Sequence, residues 1–185
     1  MINQPYLNWG SRNVLVKWMF VTHEQLFSLP ETLFLAINMV DRFLGMESVA
    51  AKKMRLLGAA SLFIAAKMEE RCIPAMENLV EIGGGAFSGS DLIQAEKKIL
   101  NVIEWNLSYS CPLSFIPRVE IAKICPCGEC QNDADDADTL AKFFCEVGVI
   151  DHRLMHIKSS TLAAAAVRLS RMALDISVGH TVTVT

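Results

Sequence analysis

Leu56-Leu57-Gly58-Ala59-Ala60-Ser61-Leu62-Phe63-Ile64-Ala65-Ala66 holds no charge, and its alanines and leucines are strong helix formers. Its apolar residues fall on every side of a helical wheel, so the helix they form is buried all round or lies in a membrane. Spanning a bilayer takes roughly 20 apolar residues, and Arg55 and Lys67 bound this run closely. The stretch is therefore expected to be the central helix, about Ala51 to Glu70, of an all-α domain. Lys67-Met68-Glu69-Glu70 then sets three charges where the core meets the surface. That exit is the first place to look for function.

Helical signals lie on both sides. Ser11 is expected to cap a helix from about Arg12, in which Val14, Leu15, Trp18, Met19, Thr22 and Leu26 recur at three- and four-residue spacing. Pro30 and Glu31 suit the first turn of a second helix, to about Gly45, that buries Leu33, Ile37, Val40 and Leu44. Pro74 opens a short helix ending before Gly83-Gly84-Gly85. Ser90 with Asp91 is expected to cap a helix reaching about Trp105. Five helices over residues 1–108 make one unit. A second, residues 109–185, is expected to hold helices over Leu113 to Ile124, Thr139 to Ile150 and Ser159 to about Asp175. An acidic loop, Cys125 to Asp138, separates the first two, and the tail Val178 to Thr185 is expected to be disordered or cut short.

Composition narrows the function classes. Apolar residues make up 52% of the 185, too many for a disordered chain. Lys and Arg number 17 against 20 Asp and Glu, so no basic face for nucleic acid is expected. The N-terminus lacks a secretory pattern, and six cysteines then suggest reduced thiols inside a cell. No membrane span is expected. Gly83-Gly84-Gly85 has neither phosphate-loop spacing nor a preceding strand and reads as a helix-ending turn. The aspartates at 133, 135, 136 and 138 lack the glycine and distal glutamate of a calcium loop. Cys125, Cys127 and Cys130 are a weak zinc candidate with no second CxxC pair. His23, His152, His156 and His180 form no nucleophile–base pattern. Neither an enzyme nor a cofactor emerges.

The residue pattern resembles the cyclin box. Arg12-x-x-Leu15-x-x-Trp18, Leu33-x-x-Ala36, Asp41-Arg42-Phe43-Leu44, Gly58, Ala66-Lys67-x-Glu69-Glu70, Glu96-x-x-Ile99-Leu100 and Trp105-x-Leu107 fit the family in order. The second unit resembles the follow-on box of the A/B group through Pro112-Leu113-x-Phe115, Thr139-Leu140-Ala141-Lys142-Phe143 and Asp151-x-x-Leu154-Met155-His156-Ile157 running into Ala163-Ala164-x-Ala166. That last run is nearest the B-type, mitotic cyclins, and the second box is expected to be C-terminally truncated after about three helices.

The resemblance implies a regulatory subunit that binds and activates a cyclin-dependent protein kinase as a heterodimer, at G2 and mitosis, in nucleus and cytoplasm. It places Lys67 and Glu96, with Glu69 and Glu70, at the kinase contact, and makes Arg12 and Asp41 a structural pair. A substrate-docking patch maps to Ser11, Val14, Leu15, Trp18 and Arg55. Ser11 stands where methionine is usual, Arg55 where glutamine is usual, and Ser28, between Phe27 and Leu29, replaces an apolar residue. Docking of substrates or inhibitors is accordingly expected to be weakened. Two other readings remain at this point: a cyclin-box adaptor of the transcription machinery, and a zinc-stabilised helical protein of unrelated role.

Overall fold

A computed structural model describes residues 7–117 and 131–174, the backbone alone for 131–134. The described residues are helical without strands, and the chain divides into two compact units, one through Tyr109 and one from Ser110.

The first unit is assembled around its third helix. The helices are α1, Trp9–Gln25; α2, Pro30–Met46; α3, Met54–Glu69; α4, Met76–Ile82; and α5, Gly89–Val102. Helix α3 touches each of the other four, and every residue from Leu57 to Ala66 is buried. A chargeless run without a polar stripe has only this way to avoid water. Gly58 sets the approach of α1. A Cβ there would stand 2.9 Å from Leu15 Cδ1 and 3.2 Å from both Met19 Cγ and Trp18 Cζ3.

Several ends differ from the sequence expectations. Asn8, not Ser11, caps α1: its Oδ1 accepts from the Ser11 backbone N–H at 2.9 Å. Asparagine is as good a cap as serine, and here the asparagine lies three residues before the amide it must reach. Likewise Ser88, not Ser90, caps α5. The Ser88 side chain accepts from Asp91 N while the Asp91 carboxylate accepts from Ser88 N at 2.9 Å, a reciprocal capping box. Helix α5 ends at Val102 rather than Trp105, because Glu104 and Trp105 turn to φ 54° and 56°. Helix α4 ends as the glycine run suggested, with Gly84 and Gly85 at φ 62° and 77°.

In the second unit a 3-10 turn, Pro112–Phe115, precedes α6, Gln131–Ile150, and α7, Ser159–Ala173. The loop expected over Cys125 to Asp138 is corrected from residue 131 onward, where the chain is already helical. Its aspartates favour a helix N-terminus electrostatically, and Asp138 pairs with Lys142 one turn on. The buried stripe Ala137, Ala141 and Cys145 already runs through this acidic start. Against α6, helix α7 buries Ala163, Ala166, Val167 and Ser170. Gly148 of α6 leaves room for Leu162, whose Cδ1 would stand 3.0 Å from a Cβ there. Cys125, Cys127 and Cys130, the rest of the Leu113 to Ile124 helix and the tail from Val178 lie outside the described residues. Among the described residues no helix is long and apolar enough to cross a membrane, and no cluster of three His, Cys, Asp or Glu is placed to hold a metal.

Candidate partner-binding site

Lys67 occupies the last turn of α3, where a cation is favoured by the helix dipole. Its ammonium pairs with the Glu96 carboxylate of α5 and stands 4.1 Å from the centroid of the Phe63 ring. The two side chains are 37% and 15% exposed, so the pair lies at the rim of the core with one face open. Two charges placed by helices of separate sequence origin are thus brought together before any partner arrives.

Glu69 is exposed beside them. Glu70 has a task within the fold that its motif position did not reveal. Its Oε1 accepts from the Leu29 backbone N–H and from Thr32 Oγ1, both at 2.6 Å. Leu29, the residue preceding α2, offers no side-chain cap of its own. A carboxylate from the end of α3 therefore satisfies the first turn of α2 in place of a local cap.

Exposed apolar side chains lie near the pair in the chain, Met68 next to Lys67 and Ile93 one turn before Glu96, and Trp105, 66% exposed, follows the end of α5. The Trp105 backbone is left-handed, φ 56°, and Arg42 Nη1 donates to Asn106 O at 2.7 Å across the same turn. None of these three is in the expected contact set. The available signal was a helix end, Ile103-Glu104-Trp105-Asn106, with no glycine to take the left-handed position.

The residues mapped to a docking patch differ in exposure. Val14 is 70% exposed and Arg55 is exposed, whereas Ser11 and Trp18 are half-buried. Leu15 is only 3% exposed and packs where Gly58 admits it, so it supports the surface rather than forming it. Arg55 precedes Gly58 by one turn, on the side of α3 that α1 approaches.

Among the described residues, Arg12 and Asp41 form the most buried ion pair. Arg12 Nε donates to Asp41 Oδ1 at 2.6 Å and Nη2 to Oδ2 at 2.7 Å, with Arg12 only 1% exposed. Burial pushes the Asp41 carboxyl above its ordinary value, against the downward pull of the Arg12 hydrogen bonds and charge. This pair ties α1 to α2. It offers nothing to a partner.

The first unit is a five-helix unit with a part-exposed ion pair at the end of its central helix. Residues 1–108 match the cyclin N-terminal domain family and residues 111–184 the cyclin C-terminal domain family. The chain belongs to the cyclin family. Within it, this chain is similar to G2/mitotic-specific cyclins. It is 38% identical over 173 residues to cyclin-B of Emericella nidulans, covering 94% of this chain and 34% of that protein. It is 41% identical over 174 residues to cyclin-3 of Saccharomyces cerevisiae, covering 94% and 39%. It is 38% identical over 173 residues to cdc13 of Schizosaccharomyces pombe, covering 92% and 34%. The chain thus spans less than two fifths of the length of these three relatives. In fold it is similar to a viral cyclin from herpesvirus saimiri, with a TM-score of 0.80 at 18% identity, covering 95% of this chain and 75% of that one. A chain of the CAK complex from Chaetomium thermophilum bound to ATP-gamma-S aligns with a TM-score of 0.72 at 16% identity, covering 93% and 56%.

Proposed function

We propose that this chain is the kinase-engaging part of a regulatory subunit that binds and activates a cyclin-dependent serine/threonine kinase at G2 and mitosis, in nucleus and cytoplasm. It has no catalytic role of its own. A protein kinase reacts only when its strand lysine and its C-helix glutamate are paired. A partner that binds the paired state better than the unpaired one shifts the population toward it by the difference in affinity.

The observation that carries the reading is the Lys67–Glu96 pair, half-open at the end of α3, with Met68 and Ile93 exposed on the same two helices. An apolar surface around a polar centre is how a protein interface gains both area and register. Lys67 and Glu96 already hold each other, so they offer a kinase helix a fixed donor and a fixed acceptor at little ordering cost. Docking of substrates through Val14, Trp18, Ser11 and Arg55 belongs to the same proposal in weakened form, since Leu15 is withdrawn into the core.

Titration of the chain against a recombinant cyclin-dependent kinase, read as affinity and as phosphorylation of a peptide substrate, tests this. Lys67→Ala or Glu96→Ala strands the other charge and should cost about 2–5 kcal/mol of binding, with helicity unchanged by circular dichroism. Parent-like activation by either variant would place the contact elsewhere.

A further inference from the structure

At the end of α1 the chain turns through Phe27, whose backbone is left-handed at φ 52°. Phe27 N donates to Glu24 O at 3.1 Å and Ser28 N to His23 O at 3.3 Å, closing a turn in which glycine or asparagine is the ordinary choice. A β-carbon is disfavoured there by contact with the following carbonyl. The fold gains no burial in return, because Phe27 is 95% exposed. A large apolar ring held in a strained position, and unused by its own core, points to a surface outside the chain.

Two observations say which surface. The turn is pinned to the same end of α3 that carries Lys67 and Met68, through Glu70 accepting from Leu29 N and Thr32 Oγ1. Leu29, Met68 and Ile73 are exposed on these same two connected segments. The charge of the neighbourhood is negative. No Lys or Arg occurs between Lys17 and Arg42, whereas Glu24 lies one turn before Phe27 and Glu31 in the first turn of α2. Glu69 is exposed on the α3 side, where the exposed cations are Arg71 and Lys67, the latter already paired with Glu96.

We propose that Phe27 is a second anchor for the kinase, entering an apolar recess on that partner whose rim carries lysine or arginine. The inference rests on the kinase-binding reading above and extends its footprint from the end of α3 to the α1–α2 turn.

The test titrates a recombinant cyclin-dependent kinase with five forms of the chain: parent, Phe27→Asn, Phe27→Gly, Phe27→Tyr and Lys67→Ala. Asparagine and glycine both accept the left-handed backbone. Their kinase affinity should fall about tenfold, while their melting temperature stays level or rises by about 1–3 °C. Tyrosine should keep the parent affinity. Loss of binding without loss of stability is a signature that a structural role for the ring cannot give. If the Asn and Gly forms bind like the parent while Lys67→Ala does not, the second anchor is overturned and the first reading stands. If the parent itself fails to bind the kinase, both fall together. A Glu24→Gln, Glu31→Gln double variant should also flatten the salt dependence of binding; an unchanged slope would overturn the basic rim.

Discussion

Helices α3 and α7 are both rich in alanine and both carry leucine and methionine, yet the two units use them differently. All residues from Leu57 to Ala66 of α3 are buried, on every side. In α7 only Ala163, Ala166, Val167 and Ser170 are buried, a single stripe, and Leu169 and Met172 face solvent. The difference lies in the neighbours. In the first unit four helices surround α3, so no face of it is left for water. Within the second, α7 has α6 and the Pro112–Phe115 turn against it among the described elements. An alanine-rich helix is thus central only when enough partners exist to cover it.

The same contrast holds for charge. The first unit buries Arg12 against Asp41, whereas the second unit's pairs, Lys142 with Asp138 and Arg153 with Asp151, lie at the surface. Arg12→Ala leaves a carboxylate enclosed without its partner and should cost about 3–5 kcal/mol. Lys142→Ala removes an exposed pair one turn apart and should cost about 0.3–0.5 kcal/mol. Urea denaturation of the two variants checks the ratio, and comparable losses would break the comparison between the units.

Truncation of the two alanine-rich helices gives the next effect. Leu62 is buried in the middle of α3, and Leu62→Ala should cost about 2–5 kcal/mol, through lost transfer energy and the cavity left behind. Leu169→Ala on the open face of α7 should stay within about 0.5 kcal/mol. A large loss from Leu169→Ala would mean that something covers that face in solution.

The central helix was legible because the sequence from Leu56 to Ala66 leaves no room for a polar face, and burial on all sides is the sole outcome in water. The Lys67 and Glu96 contact was legible by resemblance alone. Nothing in their spacing, 29 residues apart, says that two helices will bring them together. Capping was read less well. Ser11 and Ser90 have the right chemistry, but Asn8 and Ser88 have it too, and the choice depends on which side chain reaches the third amide. The role of Glu70 at α2 is a tertiary fact with no local signal. For Phe27 and Trp105 the signal was negative, a helix end without glycine. The acidic run before Thr139 was misread because its aspartates hid a stripe at Ala137 and Ala141 that continues the helix.

The smallest effect separates two carboxylates, Asp91 at the start of α5 and Asp151 at the start of a 3-10 turn, His152–Leu154. Asp91 closes the α5 capping box, and its hydrogen bonds with the Ser88 side chain and backbone hold its carboxyl below the usual value. Asp151 accepts from the Arg153 side chain and backbone in the second unit, which pulls it down to about 2. A carboxyl depressed in the folded state stabilises fully above its unfolded value of 3.8, and that contribution fades as pH falls through the folded value. Both groups should therefore matter at neutral pH and cease to matter in acid. Asp91→Asn should lower the melting temperature at pH 7 and converge on the parent as pH drops below about 4. For Asp151→Asn the gap should likewise begin to close below 3.8 and be gone only once pH has fallen through about 2. Melting curves of the two variants and the parent from pH 7 to pH 2 read both gaps. The absence of any gap for Asp91→Asn at pH 7 would show that the capping box holds through the serine alone, and that the carboxylate contributes nothing to α5.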